Sequence, residues 1–195
     1  MNAEETVLLV DGEERLLDEL RRQLRGKFET VTAVGGDRAL KILENQSEIA
    51  VIICNMHMPG MTGIELLEAF SKKSPATTRI MLTENADQDC AIAAINKGHV
   101  FGFLKKPCST NILIEGIEKG LAHHRLLARE KELMETTMAG SIKLLSDVVS
   151  LMDPAATSGS RKIGRWADVL SPHLIGVNRW ELNFAVMLAP LGRIS

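Results

Sequence analysis

The sequence predicts an α/β fold: a doubly wound, five-stranded parallel sheet, followed by a long C-terminal helix and a small helical tail. Three observations predict it. Short apolar, β-branched runs alternate with segments whose apolar residues recur at helical spacing. From Thr110 to about Met152 there is no proline and little glycine, so the last helix of the alternation should run on as a connector. Residues 153–195 then hold apolar material (Leu170, Leu174, Ile175, Trp180, Leu182, Phe184, Val186 and Leu188) enough for about two helices, too little for a secure core alone.

The elements follow in chain order. Thr6–Val10 is a strand that ends at Asp11-Gly12-Glu13-Glu14, and Leu16, Leu17, Leu20 and Leu24 form the first helical stripe. Ala39, Leu40 and Leu43 form the second. Residues 50–54 are a fully apolar run, read as a buried strand, and Asn55-Met56-His57-Met58-Pro59-Gly60-Met61-Thr62-Gly63 reads as a tight loop after it. Ile64, Leu67 and Phe70 make the third stripe. Arg79–Thr83 is a strand with Glu84 directly after it, and Ala91, Ile92 and Ile95 make the fourth stripe. Phe101–Pro107 is the last strand, and Ile112, Ile114, Ile117 and Leu121 make the fifth stripe. Alternation of this kind puts helices on both faces of a parallel sheet and ligands at the carboxyl ends of its strands. Asp11, Asn55, Thr83 and Lys106 all fall at such ends.

Residues 5 to about 122 resemble the receiver domains of bacterial two-component response regulators, a flavodoxin-like fold, through four motifs in order. In that family the first strand ends in a pair of acidic residues that bind magnesium, and the third ends in the aspartate that takes a phosphoryl group. The fourth ends in a hydroxyl that bonds the phosphoryl oxygen, and the fifth carries an aromatic switch residue and a lysine before a proline. The resemblance places these roles at Asp11 and Gly12, at Asn55, at Thr83, and at Phe103, Lys106 and Pro107. Two of the three carboxylates are missing. An amide has no anionic oxygen to attack phosphorus, so Asn55 cannot form the acyl phosphate. With Gly12 in place of an acid, Asp11 remains with Glu13 beside it, and magnesium binding should be weak or absent. Glu84 stands where small residues usually admit the phosphoryl donor, and its charge repels an anion. Lys106 is then free to pair with Asp11 or Glu84. The expectation is a pseudo-receiver that acts by protein contact with other signalling proteins.

On the connector, residues 123–152, Leu127, Met134, Met138, Leu145, Val149 and Met152 follow seven-residue or four-and-three spacing, and Leu126, Leu133, Leu144, Val148 and Leu151 form an adjoining stripe. A lone helix cannot bury such a stripe. Dimerisation as a parallel coiled coil with a seam of Leu127, Met134, Leu145 and Val149 is one answer, and an intramolecular hairpin against the last segment is the other. Thr137 and Gly140 weaken the seam.

Residues 153–195 carry a weaker resemblance. Ser160-Arg161-Lys162-Ile163-Gly164-Arg165-Trp166-Ala167, Trp180-Glu181-Leu182 and Leu188-Ala189-Pro190-Leu191-Gly192-Arg193-Ile194 look like the start of an HD-GYP domain, the family that hydrolyses cyclic di-GMP. The positions matching its metal-binding histidines and aspartate are Gly159, Ala189 and Pro190, none of which ligates a metal. A decayed output segment that now serves for packing or docking is expected. The alternative is a truncated or inactivated phosphorylation-controlled cyclic di-GMP phosphodiesterase.

Composition is that of an ordinary globular protein: 195 residues, 45% hydrophobic, 25% charged, formal net charge -2. No attraction to nucleic acid is implied, and there is no basic recognition helix. No apolar run approaches the roughly 20 residues of a membrane span and no signal peptide is present, so a cytoplasmic protein is expected. Cys54, Cys90 and Cys108 lack metal-ligand spacing, and Met56, Met58 and Met61 read as loop packing. His123 and His124 point about 100° apart on a helix and read as packed or solvated side chains.

Overall fold

The computed structural model describes residues 5–45, 49–84 and 99–152, together with Ala185. The chain divides into two compact units, Met1–Ala128 and Arg129–Ser195. The first contains five parallel strands: β1 (Thr6–Asp11), β2 (Glu29–Val34), β3 (Ile49–Asn55), β4 (Thr78–Thr83) and β5 (Gly102–Lys105), in the order β2-β1-β3-β4-β5. Three of the described helices, α1 (Glu14–Leu24), α2 (Gly36–Asn45) and α3 (Gly63–Lys73), connect them, and α4 (Thr110–Met152) follows β5. This is the five-stranded doubly wound sheet that the sequence predicts.

Strand periodicity explains the layers. Side chains alternate across a sheet, so Val7 and Leu9 of β1 face one side while Leu8 and Val10 face the other. Val7 and Leu9 join Leu17 and Leu24 of α1 with Leu113, Ile117 and Leu121 of α4. Leu8 and Val10 join Leu66, Leu67 and Phe70 of α3 with Ala39 of α2. Both faces of β1 and β3 are therefore covered, which is why these strands read as unbroken apolar runs. Each fully buried Leu or Ile contributes roughly 1.5–3 kcal/mol of transfer free energy.

Three local features differ from the expectation. The second strand has no apolar run in the sequence to mark it; β2 lies at the sheet edge, only Ala33 in it is buried, and Glu29 and Val34 are exposed. The last strand is shorter than Phe101–Pro107, for Phe101 is 43% exposed and the ladder stops at Lys105. In α4 the sheet-facing residues are Leu113, Ile117 and Leu121, whereas Ile112 is 52% exposed. The phase is set by two glycines: a Cβ on Gly116 would stand 3.1 Å from Leu104 and one on Gly120 3.2 Å from Ile80 and Val51. The helix approaches the sheet through these bare positions, which puts Leu113 rather than Ile112 on the buried side. The predicted stripe of Ala91, Ile92 and Ile95 lies outside the described residues.

Candidate functional site

β1 and β3 are neighbours, yet the chain leaves them for opposite faces of the sheet, so their carboxyl ends border the crevice where doubly wound folds bind ligands. The register pairs Val10 with Cys54, which brings Asp11 level with Asn55, and pairs Asn55 with Leu82 on β4. On the far side, Lys106 is fixed by its backbone N–H, which donates to the Thr83 carbonyl at 2.8 Å, ahead of a cis Lys106-Pro107 peptide. Asp11, Asn55, Thr83 and Lys106 are thus gathered at one end of the sheet.

The loop after β3 folds back on the strand that positions Asn55. Gly60 adopts φ +83°, a conformation that costs glycine little, and the Met61 N–H donates to the Pro59 carbonyl at 3.0 Å. The Gly63 N–H donates to the Met56 carbonyl at 2.8 Å, and a Cβ on Gly63 would lie 2.3 Å from the Asn55 carbonyl oxygen. No larger residue fits there. Thr62 then starts α3 with a capping box: its hydroxyl accepts from the Glu65 N–H at 3.3 Å while its own N–H donates to Glu65 Oε2 at 2.9 Å. The Thr62 N–H and, at 2.8 Å, the Thr62 hydroxyl both donate to the Glu65 carboxyl and hold it below the usual carboxylate range. Met56 and Met58 are buried in the core with Met61 packed against it, so the loop methionines serve packing.

Asp11 is the centre of the site, its side chain only 3% exposed. Its Oδ2 accepts from Lys106 Nζ at 2.8 Å. Its Oδ1 accepts from Asn55 Nδ2 at 3.3 Å and from the Glu13 N–H at 3.1 Å. Asn55 Nδ2 also donates to the His57 carbonyl at 3.1 Å. The amide therefore reverses the polarity expected at this position, because a carboxylate there would face Asp11 as a like charge. Of the two partners foreseen for Lys106, Asp11 is the one it meets. Glu13 contributes its backbone, while its side chain and that of Glu84 line a cleft of about 530 Å³ with Lys106, Pro107 and Cys108. Thr83 is buried, with Oγ1 4.0 Å from Met56 Sδ, and Phe103 is half-buried against the core. Behind Asn55, the fully buried Cys54 thiol donates to the Asn55 carbonyl at 3.1 Å. Burial and the nearby Asp11 charge push that thiol well above its usual range.

The donor set does not fit the divalent cation of receiver sites. One carboxylate remains and an ammonium already occupies it, whereas magnesium requires oxygen ligands in near-octahedral array. Among the described residues no group of three or more His, Cys, Asp or Glu stands ready for a metal. A Cβ on Gly12 would lie 3.0 Å from Pro59 Cδ, so a side chain there presses on the loop.

Other predicted positions distribute as follows. Gly159, Ala189 and Pro190 lie outside the described residues. On α4, Leu127 is half-buried and Met134 is 62% exposed, while the side chains of Leu145 and Val149 are outside the described set. His123 Nδ1 lies 3.2 Å from Thr78 Oγ1, and its ring centroid is 4.5 Å from that of Phe101. His124 Nδ1 donates to the Ala76 carbonyl at 2.7 Å. Both histidines pack. Sequence reasoning missed Arg79, a buried cation that donates to the carbonyls of Thr77, Pro75 and His99 at the amino end of β4. Its position inside an apolar strand was the available signal. No described helix is long and apolar enough to cross a membrane.

Comparison with known proteins gives the same region a family. Residues 7–118 match the model of the response regulator receiver domain. The hydrogenase transcriptional regulatory protein HoxA of Cupriavidus necator is 34% identical over 116 residues, which are 60% of this chain but only 24% of that relative. The receiver domain of an HD domain-containing protein from Pseudomonas fluorescens Pf-5 superposes with a TM-score of 0.60 at 31% identity, covering 63% of this chain and 98% of that one. A structure described as adenylate cyclase from Rhodopirellula baltica gives a TM-score of 0.64 at 36% identity, covering 68% and 98%.

Proposed function

This chain belongs to the response-regulator receiver family, a module of signal transduction, and on that premise we propose that its pocket signals without accepting a phosphoryl group. The observation that carries the reading is the closed network around Asp11. In a phosphorylatable site, a cluster of carboxylates is held together by a cation that also receives the phosphoryl oxygens. Here Lys106 and the Asn55 amide neutralise and saturate the one carboxylate from within the chain. Among the described residues, the phosphoacceptor position holds an amide and the one carboxylate at the strand ends is already paired. Output then rests on surfaces that are present whatever the donor supply, so the protein acts by contact with other signalling proteins, and no nucleic acid or membrane enters the proposal.

Intact-mass spectrometry after incubation with acetyl phosphate and magnesium tests this. The expected result is no gain, and a hydroxylamine-labile gain of one phosphoryl mass overturns the reading. Asn55→Asp alone should remain poor because it restores the nucleophile without the second magnesium ligand. Gly12→Asp together with Asn55→Asp should do better, despite the pressure on Pro59. Equal rates in the two variants would show that Gly12 is no lesion.

A second reading, an inactivated phosphodiesterase of the HD-GYP kind, draws on the likeness to the receiver of an HD domain-containing protein. Gly159, Ala189 and Pro190 weigh against it, since metal-activated water needs ligands that these residues lack. Hydrolysis of cyclic di-GMP by the purified chain in the presence of manganese would favour it.

A further inference from the structure

From Arg129 onward, α4 carries apolar side chains in open exposure: Leu133 and Leu144 at 69% and Val148 at 53%. Successive residues of a helix turn through about 100° and rise about 1.5 Å. On that geometry Leu133, Thr137, Gly140, Leu144 and Val148 fall within about 80° of one another over about 22 Å. They form one stripe. Its two soft positions do not break it. Thr137 Oγ1 donates to the Leu133 carbonyl at 2.8 Å, and Ser141 Oγ donates to the Thr137 carbonyl at 2.9 Å. Both hydroxyl protons are used within the helix, so Thr137 can turn its methyl to a dry contact. Gly140 has nothing within 4 Å of where a Cβ would sit, which leaves room for another backbone.

We infer that this stripe is the contact face of a parallel homodimer, covered by the same stripe of a second copy. Two observations choose that occupant. Leu133 and Leu144 are eleven residues apart, as are Thr137 and Val148. A face with an eleven-residue repeat drifts with the opposite hand to a heptad seam, so a helix of the same repeat follows it along its length. A second copy supplies that repeat by symmetry. The flanks are also self-complementary. Arg129 lies on one side of the stripe and Glu130 on the other, nearly level because they are consecutive. Two-fold symmetry along parallel helices brings opposite flanks together, so Arg129 of each copy faces the partner's Glu130. An antiparallel pair would carry these charges to opposite ends. The seam differs from the one expected from heptads: it runs through Leu133, Leu144 and Val148 and leaves Met134 on its shoulder.

The dimer is independent of the pocket chemistry, and its test is separate. Light scattering of the full chain at tens of micromolar should give twice the 21.4 kDa chain mass, with or without a phosphodonor. Leu133→Glu with Leu144→Glu sets like charges against each other and should raise the dimer dissociation constant on the order of a hundredfold or more. Both side chains are exposed in the single chain, so far-UV circular dichroism of the receiver unit should not change. Arg129→Glu should weaken the dimer, and adding Glu130→Arg should restore it. Lys131→Glu with Glu135→Lys, on the far face, should leave it intact. Gly140→Cys should form a disulfide-linked dimer on mild oxidation beyond any seen for the parent chain. A monomeric parent overturns the inference, as does a dimer that survives Leu133→Glu with Leu144→Glu. Failure of the Gly140→Cys link overturns the parallel arrangement.

Discussion

At the carboxyl edge of the sheet a buried carboxylate meets three donors from its own chain, whereas along α4 beyond Arg129 leucines stand 69% exposed. On the reading proposed above, the first region needs no outside ligand and the second does. A phosphorylatable receiver couples an input at the pocket to an output surface elsewhere; on the proposed reading Asn55 and Lys106 close the input end here, while the described helix offers an apolar surface. The contrast teaches that the pocket and the distal helix face draw on different residues, so either can change without the other.

Removing the cation from the closed region is the strongest way to break this comparison. Lys106→Met leaves Asp11 buried with only the Asn55 amide and the Glu13 N–H as donors, and should cost about 3 kcal/mol, the low end for breaking a buried pair, because those donors remain. Urea denaturation followed by far-UV circular dichroism measures it. An unchanged midpoint would mean that Asp11 needs no internal cation, and the closed-pocket reading would lose its support.

The two parts of α4 sharpen it next. Leu113→Ala opens a cavity against the sheet and should cost about 2–4 kcal/mol. Leu133→Ala should change the stability of the monomer by less than about 0.5 kcal/mol and act instead on association. Similar losses in a monomeric background would show that the distal stripe is already core.

The smallest effect lies at the ion pair of Arg125 with Glu5, which ties α4 to the start of β1. Hydrogen bonding to Arg125 lowers the Glu5 carboxyl below its usual range. A depressed carboxylate contributes stability above its unfolded value, and that contribution fades as pH falls below about 4.3. Arg125 is more than half exposed, so Arg125→Gln should lower the melting midpoint only slightly at neutral pH and not at all once Glu5 is protonated. A pH series of melting midpoints on parent and variant reads the difference.

Most of the site was legible because its residues sit in short motifs tied to strand ends. Asp11, Asn55, Thr83 and Lys106 needed only the order of the runs to be brought together. What periodicity could not supply was phase and partner. Glycine counts as nothing in an apolar tally, yet Gly116 and Gly120 decide which side of α4 meets the sheet, and so Ile112 was placed where Leu113 belongs. β2 went unplaced because an edge strand buries too little to imprint its sequence. The direction of the Asn55 amide, toward Asp11 and not toward solvent, depends on a fold-back at Gly63 that no spacing rule encodes.

Cys54 gives the closed pocket a reporter of its own. Its sulfur lies behind Asn55, fully buried and bonded to that residue's carbonyl, with its acidity suppressed. A thiol reagent can reach it only when β3 parts from its neighbours or from the helices packed over it, whereas Cys108, half-buried on the cleft, needs no such event. The rate at which Cys54 becomes alkylated is therefore a clock for the opening of the strand that carries Asn55, and any partner that pries the sheet apart, or any ligand that tightens it, would change that clock without touching the thiol.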